Sequence, residues 1–414
     1  MNKFSLTTGT KRFTLLFLLF FLFIIVESIH SGDVATSYPE RIILNVTAQP
    51  ATSQAVTWRT QGAVMSPQAQ IVAANASPDL AIGAILVPAI TDSVIIDGQI
   101  IYYHAVLFDT LSPNTVYAYR VGDGMVWSEW NQFRTAEAGD APFQFIYLGD
   151  PQNAIHSICS RVFRMAYQKA PAARFWLLTG DLVNNGESDG EWGELFDAFG
   201  WIARVTPIVP LPGNHEYIKM KTNDETIHNL TKLWRPQFSL PTNGPQGLDE
   251  TVYYIDCQNT RLIMLNGNEQ LETQADWLKK VLTGNPNRWT IVSIHQPLYS
   301  SAKNRDNVHL QKLFLPIFDN YGVDLVLQGH DHCYSRTYKL RTGKVVAEKS
   351  RGTVYVVSVS GPKIYTLNPL YQSLMAKMDS GKQLFQVISI NKKRLSYEAW
   401  TASGELFDKF VLKK

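Results

Sequence analysis

The stretch FQFIYLGD, residues 143–150, decides how this chain folds. A mostly apolar run from Phe143 to Leu148 passes into Gly149 and Asp150, the pattern of a buried strand that ends in a polar turn. The pattern recurs in RFWLLTGD (174–181), TPIVPLPGNH (206–215), WTIVSIHQP (289–297) and VDLVLQGHDH (323–332). Between these runs, SICSRVFRMAYQKA (157–170) and EWGELFDAFGWIARV (191–205) carry helix-compatible spacing. Apolar strands alternating with helices predict an α/β architecture. Open α/β sheets gather ligands where their strands end. Here every run ends in side chains able to bind one.

Upstream the texture differs. RIILNVTA (41–48), QAVTWRT (54–60), YYHAVLFDTL (102–111) and TVYAYRVGDGMVWSEWNQFRT (115–135) read as short strands separated by turns. Apolar and polar residues alternate from Val116 to Val121, and Gly122-Asp123-Gly124 reads as a hairpin turn. Such strands within about 100 residues predict an antiparallel β-sandwich. AEAGDAP (136–142) is small, polar and turn-prone, so the boundary belongs there. GTVYVVSVSGP (352–362) and the tail from Gln383 read as strands and hairpins that complete the sheets. A length of 414 residues exceeds what one core usually organises. The expected domains are a sandwich over 38–136 and an α/β domain over 142–414.

Lys3, Lys11 and Arg12 precede an apolar run from Phe13 to Val26, broken only by Thr14 and followed by small polar residues. Residues 1–31 therefore read as a secretory signal peptide, making the protein secreted or periplasmic with no membrane contact after cleavage. The run is too short to span a bilayer comfortably; an uncleaved membrane anchor is the other reading. With 38 Lys and Arg against 36 Asp and Glu, the net charge of +2 gives no reason to expect nucleic acid. Cys159, Cys257 and Cys333 permit at most one disulfide, and buried thiols or a Cys159–Cys257 bridge both remain open. His104, His156 and His228 carry no motif, and Trp58, Trp127 and Trp130 are expected in the sandwich core or at its rim.

The strand ends form one set: Asp150 with Gln152, Asp181 with Asn184, Asn214-His215-Glu216, His295, and His330-Asp331-His332. A phosphate ester is anionic and resists attack by water. Two cations about 3.5–4 Å apart can hold its oxygens and lower the pKa of water between them. A shared carboxylate keeps such cations at that distance, and oxygen and imidazole donors suit Fe, Mn or Zn. A neutral Asn limits the negative charge that would repel the substrate. The Gly before four of these motifs lets backbone approach a metal or phosphate closely.

The order GD, GD, GNH, H, GHxH resembles the calcineurin-like metallophosphoesterase superfamily. LSPNTVYAYRV (111–121) resembles the fibronectin type III signature, with Leu111 filling a core and the Tyr117 hydroxyl tying down a turn. With it, YHAVLFDTLSPNTVYAYRVGDG (103–124) looks like the N-terminal domain of purple acid phosphatases, and the C-terminal tail is similar to their bacterial members. The resemblance implies a fibronectin type III-like β-sandwich followed by a four-layer α/β sandwich. It implies two divalent or mixed-valence metal ions and hydrolysis of small phosphate monoesters. Asp150 and His332 would hold the first metal, Asp181 would bridge, and Asn214, His295 and His330 would hold the second. His215 would assist the leaving group, while Glu216 and Asp331 would orient imidazoles from behind the ligands.

The chain also departs from that family. Asn184 stands where purple acid phosphatases have their metal-binding tyrosine, and Gln152 stands where other members of the superfamily have a histidine ligand. Either side chain is a possible metal ligand. Asn304 replaces a histidine that often meets substrate, leaving Arg305 or His309 as possible phosphate contacts. Tyr217 and Tyr299 follow ligand loops and could line the cleft. The alternatives to a monoesterase are a phosphodiesterase acting on nucleotides or lipid head groups, and a non-catalytic surface binding protein.

Overall fold

The structure is a computed structural model that describes Met1, residues 36–221 and residues 226–414. Beyond Met1, the expected signal peptide lies outside the described residues. No helix among the described residues is long and apolar enough to cross a membrane.

Eight strands build the N-terminal β-sandwich. One sheet takes Glu40–Asn45, Gln54–Thr60, Gln99–Phe108 and Ile90–Ile96 in that order. The other takes Ile85–Pro88, Gln68–Ala73, Val116–Gly122 and Asn131–Arg134. Because side chains alternate across a strand, Val56, Trp58, Val106, Phe108, Ile71, Tyr119 and Val121 share one core between the sheets. Leu111 joins that core, and the Tyr117 hydroxyl accepts from the Ser112 amide at 2.9 Å. Trp127 and Trp130 lie at the rim with the Arg120 guanidinium over both rings. His104 is buried between Thr60 and Thr91, and burial lowers its pKa to about 4.

The run RIILN fails to alternate because both its faces are covered. Ile42 and Leu44 point into the sandwich core, whereas Ile43 packs into the core of the α/β domain. Asn45 pairs in parallel with Ile208, so one ten-stranded sheet passes through both halves of the molecule. Side chains fasten the same seam. Arg41 and Arg59 converge on Asp189 at 2.6 and 2.9 Å. The hydroxyls of Thr57 and Tyr119 donate to the carbonyls of Gln237 and Arg204, each at 2.7 Å.

In the α/β half, Phe143–Leu148, Trp176–Leu178 and Ile208–Pro210 are parallel neighbours in the ten-stranded sheet. A second sheet of seven strands sets Trp289–Ile294 and Leu325–Gln328 between Thr260–Leu265 and Val354–Val357, all parallel. Its central strands Trp289–Ile294 and Leu325–Gln328 are mostly apolar because neighbouring residues serve different cores. Ile291, Leu325 and Leu327 pack toward the first sheet, while Val292, Ile294 and Val326 pack under helices Leu271–Thr283 and Val308–Tyr321. Helices Ser160–Lys169 and Asp189–Phe199 join the core of the first sheet. The layers are therefore helix, sheet, sheet, helix.

The helical expectation over 191–205 is corrected in one detail. Gly200, at φ 57°, ends one helix and Ile202–Val205 forms a separate turn. All three cysteines are buried free thiols, which excludes the Cys159–Cys257 bridge.

Candidate metal centre

The loops after strands 143–148, 176–178, 208–210, 289–294 and 325–328 meet in one buried cluster. Asp181 Oδ2 lies 3.2 Å from His295 Nε2, and His295 Nε2 lies 3.1 Å from His330 Nδ1. Donor atoms of Asp181, His295 and His330 all fall within 4.8 Å of one another. Beside them His332 Nε2 stands 3.6 Å from Asp150 Oδ2. The loops are bent hard to achieve this. Asp150, Asp181 and His330 adopt left-handed φ values of 42°, 49° and 70°, a strain that accumulates at functional sites. Glycine is needed opposite them, because a Cβ on Gly213 would sit 2.3 Å from Asp181 Oδ1 and one on Gly329 would sit 2.1 Å from Asp150 Oδ1. What approaches these glycines is thus a neighbouring carboxylate, rather than the metal or phosphate expected from sequence.

The donor set fits metal ions. Asp150 Oδ2, Asn214 Oδ1 and His332 Nδ1 are buried with no hydrogen-bond partner. Leaving such atoms unpaired costs about 1–3 kcal/mol each, and a cation would satisfy the oxygens. His295 Nδ1 meets the Thr179 carbonyl at 2.7 Å. A carbonyl only accepts, so Nδ1 carries a proton and Nε2 is the atom turned into the cluster. Burial lowers the pKa of His330 to about 2 and of His332 to about 3, which keeps both imidazoles neutral and ready to ligate. Burial also works against His295, but the Asp181 and Asp150 carboxylates outweigh it and raise His295 to about 9. A proton on that ring supplies the positive charge that metal loading would replace. Burial pushes Asp150 well above the carboxylate range. It raises Asp181 too, but His295 more than compensates, so Asp181 stays below its ordinary value.

Two expected roles are corrected. Glu216 and Asp331 touch no imidazole. The Glu216 carboxylate accepts from the backbone amides of Asp181, Leu182, Val183 and Gly213 at 2.7–3.3 Å. Asp331 accepts from the Ser300 hydroxyl and the Ser301 and Ala302 amides at 2.7–3.0 Å. Both carboxylates pin ligand loops to each other, because those loops leave amides that no strand partner can take. Imidazoles are oriented instead by backbone carbonyls, Thr179 for His295 and Asn184 for His215.

His215 is partly exposed, with Nδ1 2.5 Å from the Asn184 carbonyl and Nε2 3.9 Å from Asp181 Oδ2. Arg305 reaches the site rim, donating to the His330 carbonyl at 2.8 Å with its guanidinium over Tyr365. His309 does not come near it. Its ring stands exposed on helix Val308–Tyr321, 3.4 Å from Glu272, so its expected phosphate contact is corrected to a surface contact with that carboxylate. Tyr217 and Tyr299 are buried in packing, Tyr217 on Asn266 and Tyr299 against Tyr355 and Tyr371.

The possible ligands Gln152 and Asn184 meet an unanticipated residue. Lys363 Nζ lies 2.8 Å from Gln152 Oε1 and 3.2 Å from Asn184 Oδ1. Burial lowers the lysine pKa, with Asp181 and Asp150 working against that. Lys363 and Tyr365, whose ring meets His332 edge-on at 4.6 Å, follow strand Val354–Val357. That strand runs parallel to Leu325–Gln328 and antiparallel to Tyr334–Thr337, so its C-terminal loop opens on the same side as the loop that carries His330 and His332.

Comparisons with known proteins place two stretches of the chain in described families. Residues 143–334 match the family model of calcineurin-like phosphoesterases, and residues 39–135 match that of the purple acid phosphatase N-terminal domain. An uncharacterized protein of Mycobacterium tuberculosis is 26% identical over 363 residues, 75% of this chain and 67% of that one. An Fe(3+)-Zn(2+) purple acid phosphatase of Arabidopsis thaliana is 27% identical over 255 residues, 58% of this chain and 53% of that one. This chain thus spans about half the length of the plant relative. The structure of a purple acid phosphatase from yellow lupin seeds matches the fold with a TM-score of 0.76 at 17% identity, covering 92% of this chain and 75% of that one. Residues 143–334 therefore form a calcineurin-like phosphoesterase domain, preceded over residues 39–135 by a purple acid phosphatase N-terminal domain.

Proposed function

We propose that the protein hydrolyses phosphate monoesters at a dinuclear metal centre. The observation that carries this reading is the convergence of Asp150, Asp181, His295, His330 and His332 from four strand ends. With it go the unpaired oxygens of Asp150 and Asn214. Asp150 and His332 would hold one ion, Asn214, His295 and His330 the other, with Asp181 between them. When bound, the ions supply Lewis-acid activation of water and of the phosphoryl group. Fe, Zn or Mn suits these donors, and a plant relative is named for iron and zinc.

His215 acts at the open side. With Nδ1–H given to the Asn184 carbonyl, Nε2 is the atom that would deliver a proton to the departing alkoxide. Arg305, at the rim, is placed to meet phosphate charge. We place the domain boundary within residues 136–142 and read residues 1–31 as an export signal, which puts the substrate outside the cytoplasm.

The test strips the full protein with chelator, reloads it with Mn, Zn or Fe, and assays p-nitrophenyl phosphate against its bis-ester. Faster turnover of the monoester is expected. His215→Gln should lower kcat by about 10²–10⁴-fold with little change in KM. Preference for the bis-ester would move the reading to a phosphodiesterase. Protein holding two metals yet cleaving neither ester would end it.

A further inference from the structure

We propose that Lys363 withdraws Gln152 and Asn184 from metal ligation and so makes the first-metal half of the centre its weaker, divalent half. This rests on the metal-centre reading above and concerns how that centre is loaded.

An ammonium group donates hydrogen bonds and accepts none. Its contacts at 2.8 Å with Gln152 Oε1 and 3.2 Å with Asn184 Oδ1 therefore use the two amide oxygens that could have bound a metal. The orientation of the Gln152 amide follows. With Oε1 on Lys363, its NH2 points inward, 2.9 Å from Asp181 Oδ2 and 3.3 Å from His332 Nε2. An amide nitrogen has no lone pair free for a metal, and here it engages two of the atoms that do. The first-metal half is left with Asp150, Asp181 and His332. The other half keeps Asn214, His295 and His330 together with Asp181.

Lys363 is held in place by its loop. On one side the Ser360 amide donates to the Gly149 carbonyl at 2.7 Å and the Gly361 amide to the Asp150 carbonyl at 2.9 Å. On the other the Tyr365 amide donates to the His332 carbonyl at 3.0 Å. The lysine is thus stitched between the backbones of both ligands that belong to the first-metal half alone. Repulsion from a fixed cation grows with the charge of the incoming ion, so a trivalent ion is penalised more than a divalent one.

The experiment titrates chelator-stripped full-length protein with Mn²⁺ and with Zn²⁺ by calorimetry, and separately follows ferric iron uptake. The wild type should show two sites of unequal affinity and little ferric uptake. Lys363→Met frees both amide oxygens and should tighten the weaker site by about ten- to hundredfold. Adding Gln152→Ala to that variant should reverse much of the gain. Lys363→Arg should behave like the wild type, and melting curves of all variants report folding. Equal affinities in the wild type, or a weaker site unmoved or loosened in a folded Lys363→Met protein, would overturn the proposal. Failure of the phosphatase reading would appear separately, as fully loaded protein that cleaves no ester.

Discussion

At the scale of single residues, the centre depends on groups that never touch a metal. Glu216 is the clearest. One buried carboxylate takes four backbone amides from the Asp181 and Gly213 loops. Burial, then the Asp181 charge, raises its pKa to about 7, while the amides pull it back. Glu216→Gln replaces an acceptor oxygen by a donor facing those amides, and should cost about 1–3 kcal/mol of stability. Urea denaturation together with a zinc titration checks this, the second-metal affinity being expected to fall as the loop loosens. Asn184, whose amide oxygen meets Lys363 and which offers no phenolate, carries a different expectation. Iron-loaded protein should lack a tyrosinate absorption band, and a purple preparation would contradict this. The ligand-type residues were legible because each follows an apolar run. The roles of Glu216 and Asp331 were not, since a carboxylate beside a histidine looks the same whether it serves a ring or a backbone. Lys363 was hidden because a lone lysine after a strand carries no motif.

At the scale of elements, the strands declared themselves by pattern. Alternation in 116–121 marked an open sandwich strand, and unbroken apolar runs marked strands covered on both faces. The second case cannot say what does the covering. RIILN is apolar because two different cores claim it, a fact that depends on a strand some 160 residues away. Gly200 broke a helix whose spacing continued across it, because periodicity counts side chains and is blind to φ. The sandwich also holds a pH-sensitive element. His104, wedged between Thr60 and Thr91, has its pKa lowered to about 4 by burial. The unfolded chain takes up this proton below about pH 6.5, the folded one only near pH 4. Between those values the unfolded state binds more protons, so stability should fall as the pH drops through that window. Denaturation midpoints at pH 7 and pH 5 measure the slope, and His104→Gln should flatten it.

At the scale of the whole molecule, Ser37–Lys414 forms one unit, and the shared sheet is the reason. The candidate metal ligands all lie in the α/β half, yet the parallel pairing of Asn45 with Ile208 and the Arg41–Asp189–Arg59 cluster join that half to the sandwich. Chelation should therefore lower a single melting transition. Two separated transitions in calorimetry, only one of them metal-dependent, would show the halves to be independent. The sequence displayed two domains and the place where they meet along the chain, but not that they meet across a sheet. The seam has a mechanical side as well. Strands 40–45 and 208–210 run the same way, so a pull along the sheet from the N-terminal end loads their junction in shear. Its far side is Pro210, three residues before Gly213 and four before Asn214. Tension on the sandwich would thus be felt first at the loop that carries Asn214 and His215. An export segment or surface attachment at that end of the chain would, in effect, hold the enzyme by a handle joined to its own active site.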